Sequence, residues 1–212
     1  MVARRAVGGL STTLIAIALL SGCSDSEGGT PTPVGQPSTQ ASSSAAAPSS
    51  SAAPGSDTPS VAEPLDVSSL EQDPCAALSS QQVQQLNLQP GKRESTNSGA
   101  PVCEYEYKED SGSQVSVILT PEFTNGIGDV YARKDALAYF EPTEIAGYPA
   151  AYASNSDGRS EGTCQLHVGL TDQFVVSTMV QLSSLNADYP RGCEVAELST
   201  QTMIENLKGG AR

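Results

Sequence analysis

The chain contains one histidine, His167, the side chain best suited to acid–base catalysis near neutral pH. It lies in the segment CQLHVGL at 164–170, where strand alternation places it on the face opposite Leu166 and Val168. A histidine base also needs a nucleophile and an orienting group, and we identify no such set of partners for it in the sequence. We therefore interpret His167 as a solvated strand histidine.

Two pairs of carboxylates are the other candidates for chemistry. Glu104 and Glu106 share one face of the strand-like segment VCEYEY, and paired carboxylates are the machinery of glycosidases. Asp157 and Glu161 are close together in the loop DGRSEG, which lacks the spaced oxygen ligands of a calcium loop. An exposed strand face and a plain turn are the commoner explanations. The sequence therefore predicts no catalytic residue, no cofactor and no metal site.

Four cysteines follow residue 70, at positions 75, 103, 164 and 193. A zinc site is a poor explanation, because the chain has no CxxC pair and a single histidine. In an exported protein an even set of cysteines indicates two disulfides, and three pairings are possible. The separations of 28 and 29 residues favour two local bonds, Cys75–Cys103 and Cys164–Cys193, over the two alternatives.

The fifth cysteine, Cys23, ends the stretch LLSGC after a short positive segment and an apolar run at 10–20. This layout is typical of an export signal, and the run is too short to span a bilayer comfortably. A cleavage site that ends in cysteine resembles the lipobox of bacterial lipoproteins. We expect residues 1–22 to be a signal peptide and Cys23 to carry acyl chains that hold the protein at the membrane.

Residues 23–62 contain mainly Ser, Ala, Pro, Thr and Gly, which favours a disordered tether. Without Arg4 and Arg5 of the signal, nine of the 11 basic residues remain against 24 acidic ones, a formal charge of −15. A field of that sign disfavours nucleic acid and anionic lipid surfaces as partners. Residues 63–212 are long enough for a single domain with one core.

The periodicity of this domain predicts a mixture of strands and helices. Short helices are expected at Asp73-Pro74 and after Ser79, where Gln82 completes a capping box. A polar loop is expected at 92–101 and longer helices at 129–140 and 193–207. Strands are expected at 102–107, 114–120, 164–170 and 174–181, and residues 144–153 form a strand, a break and an extended arm. The order predicts an α+β domain: a small antiparallel sheet with helices on one face, stapled by two disulfides, after the tether.

Several short motifs recur in this order in one known family. They are DPCAAL at 73–78, CEY at 103–105, AGYPA at 146–150, a strand that begins at Cys164 and the helix CEVAEL at 193–198. Together they resemble an actinobacterial lipoprotein family known as domain of unknown function 3558, over about residues 70–208. A tryptophan is common in the family where this chain has Tyr105. The resemblance implies envelope location and disulfides, and it implies no activity.

These observations favour a non-catalytic binding module in the actinobacterial cell envelope, on the extracytoplasmic face of the membrane. Its partner is an unidentified protein, glycan or lipid, and the alternative is a cell-wall hydrolase that uses carboxylates. The segment AGYPAAY at 146–152 is the candidate partner surface, through Tyr148 and Tyr152. The competing interpretation is that both tyrosines cover the sheet.

Overall fold

The computed structural model describes residues 58–209, which form one sheet and several helices. The strands are β1 (Lys92–Ser95), β2 (Pro101–Glu106), β3 (Gln114–Leu119), β4 (Tyr139–Ile145), β5 (Tyr148–Ser154), β6 (Thr163–Thr171) and β7 (Phe174–Gln181). The α-helices are α1 (Ser68–Gln72), α2 (Ser80–Gln85), α3 (Gly128–Tyr131) and α4 (Gly192–Lys208). Short 3-10 turns cover Pro74–Ala77, Lys134–Ala136, Arg159–Glu161 and Tyr189–Arg191.

All neighbouring strands of the sheet are antiparallel, in the order β1-β2-β3-β7-β6-β5-β4. Two meanders, β1 to β3 and β4 to β7, join where β3 pairs with β7. At this junction Val117 lies opposite Cys103 on one side and opposite Thr178 on the other. The expected α+β class and antiparallel sheet are confirmed. Within residues 58–209, no helix is both long and apolar enough to cross a bilayer.

The main core lies between one face of the sheet and α4. Ala196, Thr200 and Met203 are buried along the helix, as the predicted stripe requires, and the side chain of Leu207 is half-buried. The sheet supplies alternate residues of its central strands, among them Val115, Val117, Leu119, Leu166, Val168, Val176 and Val180. The Thr200 hydroxyl donates to the Ala196 carbonyl at 2.8 Å and lies 2.8 Å from Thr178 Oγ1, and this hydrogen bond between the two hydroxyls satisfies a polar pair inside the apolar interface.

Both disulfides join a strand to the segment that covers it. Cys103 of β2 is bonded to Cys75 in the 3-10 turn, and Cys164 of β6 is bonded to Cys193 in the first turn of α4. The predicted pairing is confirmed. Each bond closes a loop of about 30 residues, which on the chain-entropy model stabilises the fold by roughly 3.5 kcal/mol.

The start of the domain is held by caps and by contacts with the last helix. Asp73 accepts from the Cys75 N–H at 3.0 Å, and Ser79 and Gln82 form the predicted capping box. The side chain of Asn206 donates to the carbonyls of residues 76 and 77 at 2.9 and 3.1 Å. Val61 is also buried, and its N–H donates to Asp172 Oδ1 at 2.9 Å, so the packed part of the chain extends into the end of the predicted tether. The predicted signal peptide, Cys23 and residues 24–57 lie outside the described residues.

The predicted helix at 129–140 is wrong beyond its first turn. Only α3 is α-helical there, and Phe140 belongs to β4. The apolar residues have helical spacing, but they serve two different elements. Ile127 and Val130 pack on Ala151, Ala153 and Val175, on the face of the sheet opposite α4. Helical segments therefore cover part of both faces.

The predicted loop at 92–101 contains the edge strand β1. All four side chains of β1 are exposed, so the segment has no apolar alternation that would reveal a strand in the sequence. The backbone pairing with β2, with Arg93 opposite Cys103, is what defines it.

Gly91 offers a test of the packing around the first disulfide. A Cβ at this position would clash with Cys103 Sγ and would lie 2.7 Å from Cε1 of Tyr105, and both neighbours are held in place by the core. We expect Gly91→Ala to lower the free energy of unfolding by about 2 kcal/mol through overpacking. Urea denaturation of the oxidised protein measures this change. Gly209→Ala, whose Cβ would meet only ordinary contacts of 3.4 Å or more, is the control. Equal effects of the two substitutions would contradict the prediction.

Candidate functional site

His167 is buried, with 7% of its surface exposed, so the prediction of a solvated histidine is wrong. The face of the sheet that carries it is covered by the segment around α3. Ile127 lies over Gly169, two residues further along the same face, where an added Cβ would be only 3.2 Å from the Ile127 Cβ. The alternation in the sequence assigned His167 to the correct face, and tertiary packing removed that face from solvent.

The imidazole of His167 has a hydrogen bond at each nitrogen. Its Nε2 lies 3.1 Å from the Ala153 carbonyl, and because a carbonyl only accepts, Nε2 carries the proton. Nδ1 therefore accepts from the Ser177 hydroxyl at 2.7 Å. Burial lowers the pKa of His167 to about 4, so the ring is neutral at physiological pH. Since Ser177 is only 1% exposed, this Ser–His pair has no open approach for a substrate.

Ser160 is another candidate nucleophile, which the sequence analysis missed. It lies in the pentapeptide GRSEG at 158–162, which has the G-x-S-x-G spacing of a nucleophile elbow. A nucleophile elbow turns from a strand into a helix. Here the pentapeptide contains a 3-10 turn between β5 and β6, so the context of the motif is absent. Ser160 is exposed, and both ring nitrogens of His167 are occupied by other partners.

The carboxylates identified in the sequence are distributed over the surface. Glu106 is paired with Lys92 at 3.0 Å. Asp157 is paired with Arg159, whose guanidinium also contacts Glu141 and lies 4.1 Å from the centre of the Tyr139 ring. Hydrogen bonds from Arg159 lower the pKa of Asp157 to about 2. Across residues 58–209, no group of three or more His, Cys, Asp or Glu side chains is placed to hold a metal ion.

The predicted partner surface at Tyr148 and Tyr152 is not a free surface. Tyr148 is 3% exposed and packs in the main core, with the ammonium of Lys208 4.9 Å from the centre of its ring. Tyr152 is half-buried, and its hydroxyl donates to Glu197 Oε2 at 2.9 Å. The alternative, that both tyrosines cover the sheet, is correct. β5 is an inner strand despite Pro149, because that residue precedes the three residues that pair with β6.

The exposed apolar surface lies elsewhere, at Leu185 and Leu198. They are 91% and 53% exposed, and they are the large hydrophobic side chains that stand out at the surface of the described chain. Each lines one of two adjoining depressions, of about 310 and 260 Å³, which share Asn87, Tyr107 and Asp188. We call this surface the leucine groove, and its apolar lining includes Leu86, Leu88, Tyr107, Leu185, Val195 and Leu198.

The rim of the leucine groove carries Glu109 and Asp110, together with Asp188, which is paired with Arg191. Hydrogen bonds from the side chains of Ser113 and Ser183 lower the pKa of Asp110, which keeps that carboxylate charged. Burial, with the charges of Asp188 and Asp110, raises the pKa of Tyr107, which keeps its phenol neutral. The groove thus combines apolar walls with negative charge, which suits an apolar side chain flanked by cations.

The turn at Asn87 shapes the inner wall of the groove. Asn87 has a φ of 57°, in the left-handed region that asparagine tolerates better than most residues. Its carbonyl accepts from the Lys108 N–H at 3.1 Å, and the next residue, Leu88, bridges to Tyr107. This contact joins the end of α2 to the end of β2, so the walls are held by backbone hydrogen bonds. The sequence contained one signal of this groove. Leu198 is a large apolar residue of α4 that lies outside the buried stripe of Ala196, Thr200 and Met203.

The comparisons with known proteins give a family and nothing closer. A family described as protein of unknown function (DUF3558) matches the chain over residues 18–206. The chain belongs to this family. The resemblance inferred from the cysteine-centred motifs is thereby confirmed. No curated protein and no solved structure matches the chain.

The buried His167 should make stability depend on pH in a specific window. The unfolded chain takes up a proton near pH 6.5, whereas the folded ring takes it up only near pH 4. Stability from the neutral ring is therefore complete above pH 6.5 and is lost as the pH falls towards 4, by up to about 3 kcal/mol.

His167→Gln removes this titration and keeps a polar side chain. The difference in unfolding free energy between wild type and variant, measured by urea denaturation from pH 7.5 to 4, should shift in favour of the variant as the pH falls. The carboxylates are common to both proteins and cancel in the difference. A difference that is constant with pH would refute the buried, neutral histidine.

Proposed function

We propose that this protein is a lipid-anchored component of the actinobacterial cell envelope whose folded domain binds a partner protein and catalyses no reaction. The anchor is Cys23, and the domain lies on the extracytoplasmic face of the membrane. The partner contacts the leucine groove with an apolar side chain that is flanked by lysine or arginine. The sequence analysis left a protein, a glycan or a lipid as the partner, and this proposal selects a protein.

The location is supported by the sequence at the start of the chain and by the disulfides. LLSGC at 19–23 follows a positive segment and an apolar run, as in export signals that end in a lipidated cysteine. Two disulfides between buried or half-buried cysteines suit an oxidising compartment outside the cytoplasm. Stable membrane attachment without a spanning helix needs more than one acyl chain, which a lipoprotein anchor supplies.

The exposure of Leu185 and Leu198 beside one acidic groove is the observation that carries the binding role. A small domain gains no stability by holding two leucines in water, and apolar surface with a polar rim is typical of protein-binding sites. Glu109 and Asp110 give the rim its negative charge, since Arg191 pairs with Asp188 and with Glu194. A basic partner is attracted to such a surface, and nucleic acid is repelled by it.

A tether allows a groove of this size to bind its partner even if the affinity is weak. Residues between Cys23 and the folded domain have the composition of a flexible linker. Attachment of domain and partner to the same membrane gives an effective concentration of about 1 mM for a short flexible linker. A contact whose dissociation constant lies below this concentration is then occupied most of the time. The closed environment of the His167–Ser177 pair supports a non-catalytic role.

The anchor is tested by Cys23→Ser. We expect the variant to lose acylation and to remain as an uncleaved precursor or to be shed, while the wild type partitions into the detergent phase. Detergent-phase separation with metabolic labelling by a fatty acid analogue measures both properties. Equal labelling and equal partitioning of the two proteins would show that Cys23 is not the anchor.

The groove is tested by site-specific photo-crosslinking on intact cells. A photoreactive side chain at Gln201, exposed one helical turn after Leu198, should give a discrete adduct, because it lies beside the groove and leaves both leucines in place. The same side chain at Glu144, exposed on β4 at the far edge of the sheet, is the matched control.

The charge of the rim provides the second half of the test. Glu109→Lys should lower the yield of the adduct several-fold by repelling a basic partner, whereas Glu122→Lys, exposed outside the groove, should leave it unchanged. Leu185→Ser with Leu198→Ser should abolish the adduct with a change in stability of less than about 0.5 kcal/mol. An adduct that forms equally from Glu144, or that ignores both sets of substitutions, would overturn the proposal.

A further inference from the structure

A separate cleft of about 510 Å³ opens beside the first disulfide, between α2 and β2. We call it the disulfide cleft. Its volume falls in the range of about 300 to 1,000 Å³ that is usual for small-molecule sites. Its lining is mainly apolar, with Cys75, Leu78, Val83, Leu88, Pro90 and Tyr105. Leu88 also lines the leucine groove, so the two sites lie on either side of the segment that follows α2.

The walls of the disulfide cleft are held in place before any ligand arrives. Cys75 and Cys103 are covalently bonded, and the Tyr105 hydroxyl donates to the Cys75 carbonyl at 3.1 Å. α2, which forms the opposite wall, is capped by Ser79 and tied to α4 by a 2.9 Å hydrogen bond from Gln82 to the Thr202 carbonyl. A preformed cavity binds without the cost of ordering its walls, so its apolar area is available to a ligand.

Lys108 is the charged residue in the lining of the disulfide cleft. Its side chain is exposed and makes no ion pair or hydrogen bond with residues 58–209. Other cations of the domain differ in this respect, since Lys92 pairs with Glu106 and Arg159 pairs with Asp157 and Glu141. In a chain with a formal charge of −13, an uncommitted ammonium beside an apolar cavity is complementary to an anion that carries an apolar group.

We infer that the disulfide cleft binds a free fatty acid, with the alkyl chain between α2 and β2 and the carboxylate at Lys108. The apolar walls provide the affinity for the chain, by removing it from water. Lys108 selects the head group, because a cationic or neutral head loses the ion pair. The exposed side chains of Ser80 and Gln84 at the cleft are further hydrogen-bonding groups for the carboxylate. This ligand site is independent of the partner proposed for the leucine groove.

Titration calorimetry with dodecanoate below its micelle concentration tests the inference. The full chain carries Cys23→Ser, so that no acyl group of its own competes, and it is studied without detergent. We expect saturable binding with one dodecanoate per chain. Dodecanol and dodecyltrimethylammonium should bind roughly fivefold more weakly, and so should dodecanoate to Lys108→Gln, which is the effect of losing an exposed ion pair.

Gln84→Trp fills the cleft from an exposed position of α2 and should abolish binding. Gln81→Trp, exposed on the same helix but outside the cleft lining, and Lys92→Gln are the matched controls and should bind normally. The chain has no other tryptophan, so a blue-shifted emission of the indole in Gln84→Trp reports that it occupies the cleft in the folded protein.

Three results would overturn the inference. They are the absence of saturable dodecanoate binding, equal affinity for the anionic and cationic amphiphiles, and normal binding by Gln84→Trp with a buried indole. Binding to phosphatidylglycerol vesicles without binding to monomeric dodecanoate would also contradict it, because that result indicates a membrane surface and not a cleft for a single chain. These measurements do not involve the leucine groove, so their failure is distinguishable from failure of the proposed function.

Discussion

The packing of α4 on one face of the sheet is the interaction on which the rest of the structure depends. The helix is bonded to β6 through Cys193 at its start and hydrogen-bonded to β7 through Thr200 at its middle. Near its end Asn206 holds the turn that contains Cys75, and Lys208 donates to the Ala146 carbonyl at the β4–β5 turn. Because one helix reaches β6, β7, the β4–β5 turn and the turn that contains Cys75, loss of its packing would open the main core.

The packing of α4 on the sheet also positions the walls of the two candidate sites. The outer side of α4 supplies Leu198 to the leucine groove, so the position of that leucine is set by the buried stripe on the opposite side of the helix. The disulfide cleft is bounded by Cys75 and by α2, which is hydrogen-bonded to α4 through Gln82. A domain with few aromatic residues obtains rigid sites from covalent bonds and capped helices, where a larger core would otherwise be needed.

The predictions of a solvated His167 and of a helix over 129–140 fail for one physical reason. Both leave one face of the sheet open to solvent, as is common for antiparallel sheets. The segment around α3 covers part of that face, which buries His167 and divides the apolar residues of 129–140 between a short helix and β4. The assignment of Tyr148 to a partner surface fails for a separate reason, because β5 is an inner strand and this tyrosine packs in the main core.

The sequence by itself determined the features that depend on neighbouring residues: the alternation of β2, β3, β6 and β7, the capping box at Ser79, the stripe of α4 and the two cysteine pairs of matched spacing. These rest on local periodicity and on short loop closures, which a single chain displays directly. Long-range packing determines which faces of the sheet are covered and that β1 pairs at the edge. It also places Leu185 and Leu198 at one groove and Lys108 at the disulfide cleft. Those properties arise from contacts between distant segments, which local periodicity does not specify.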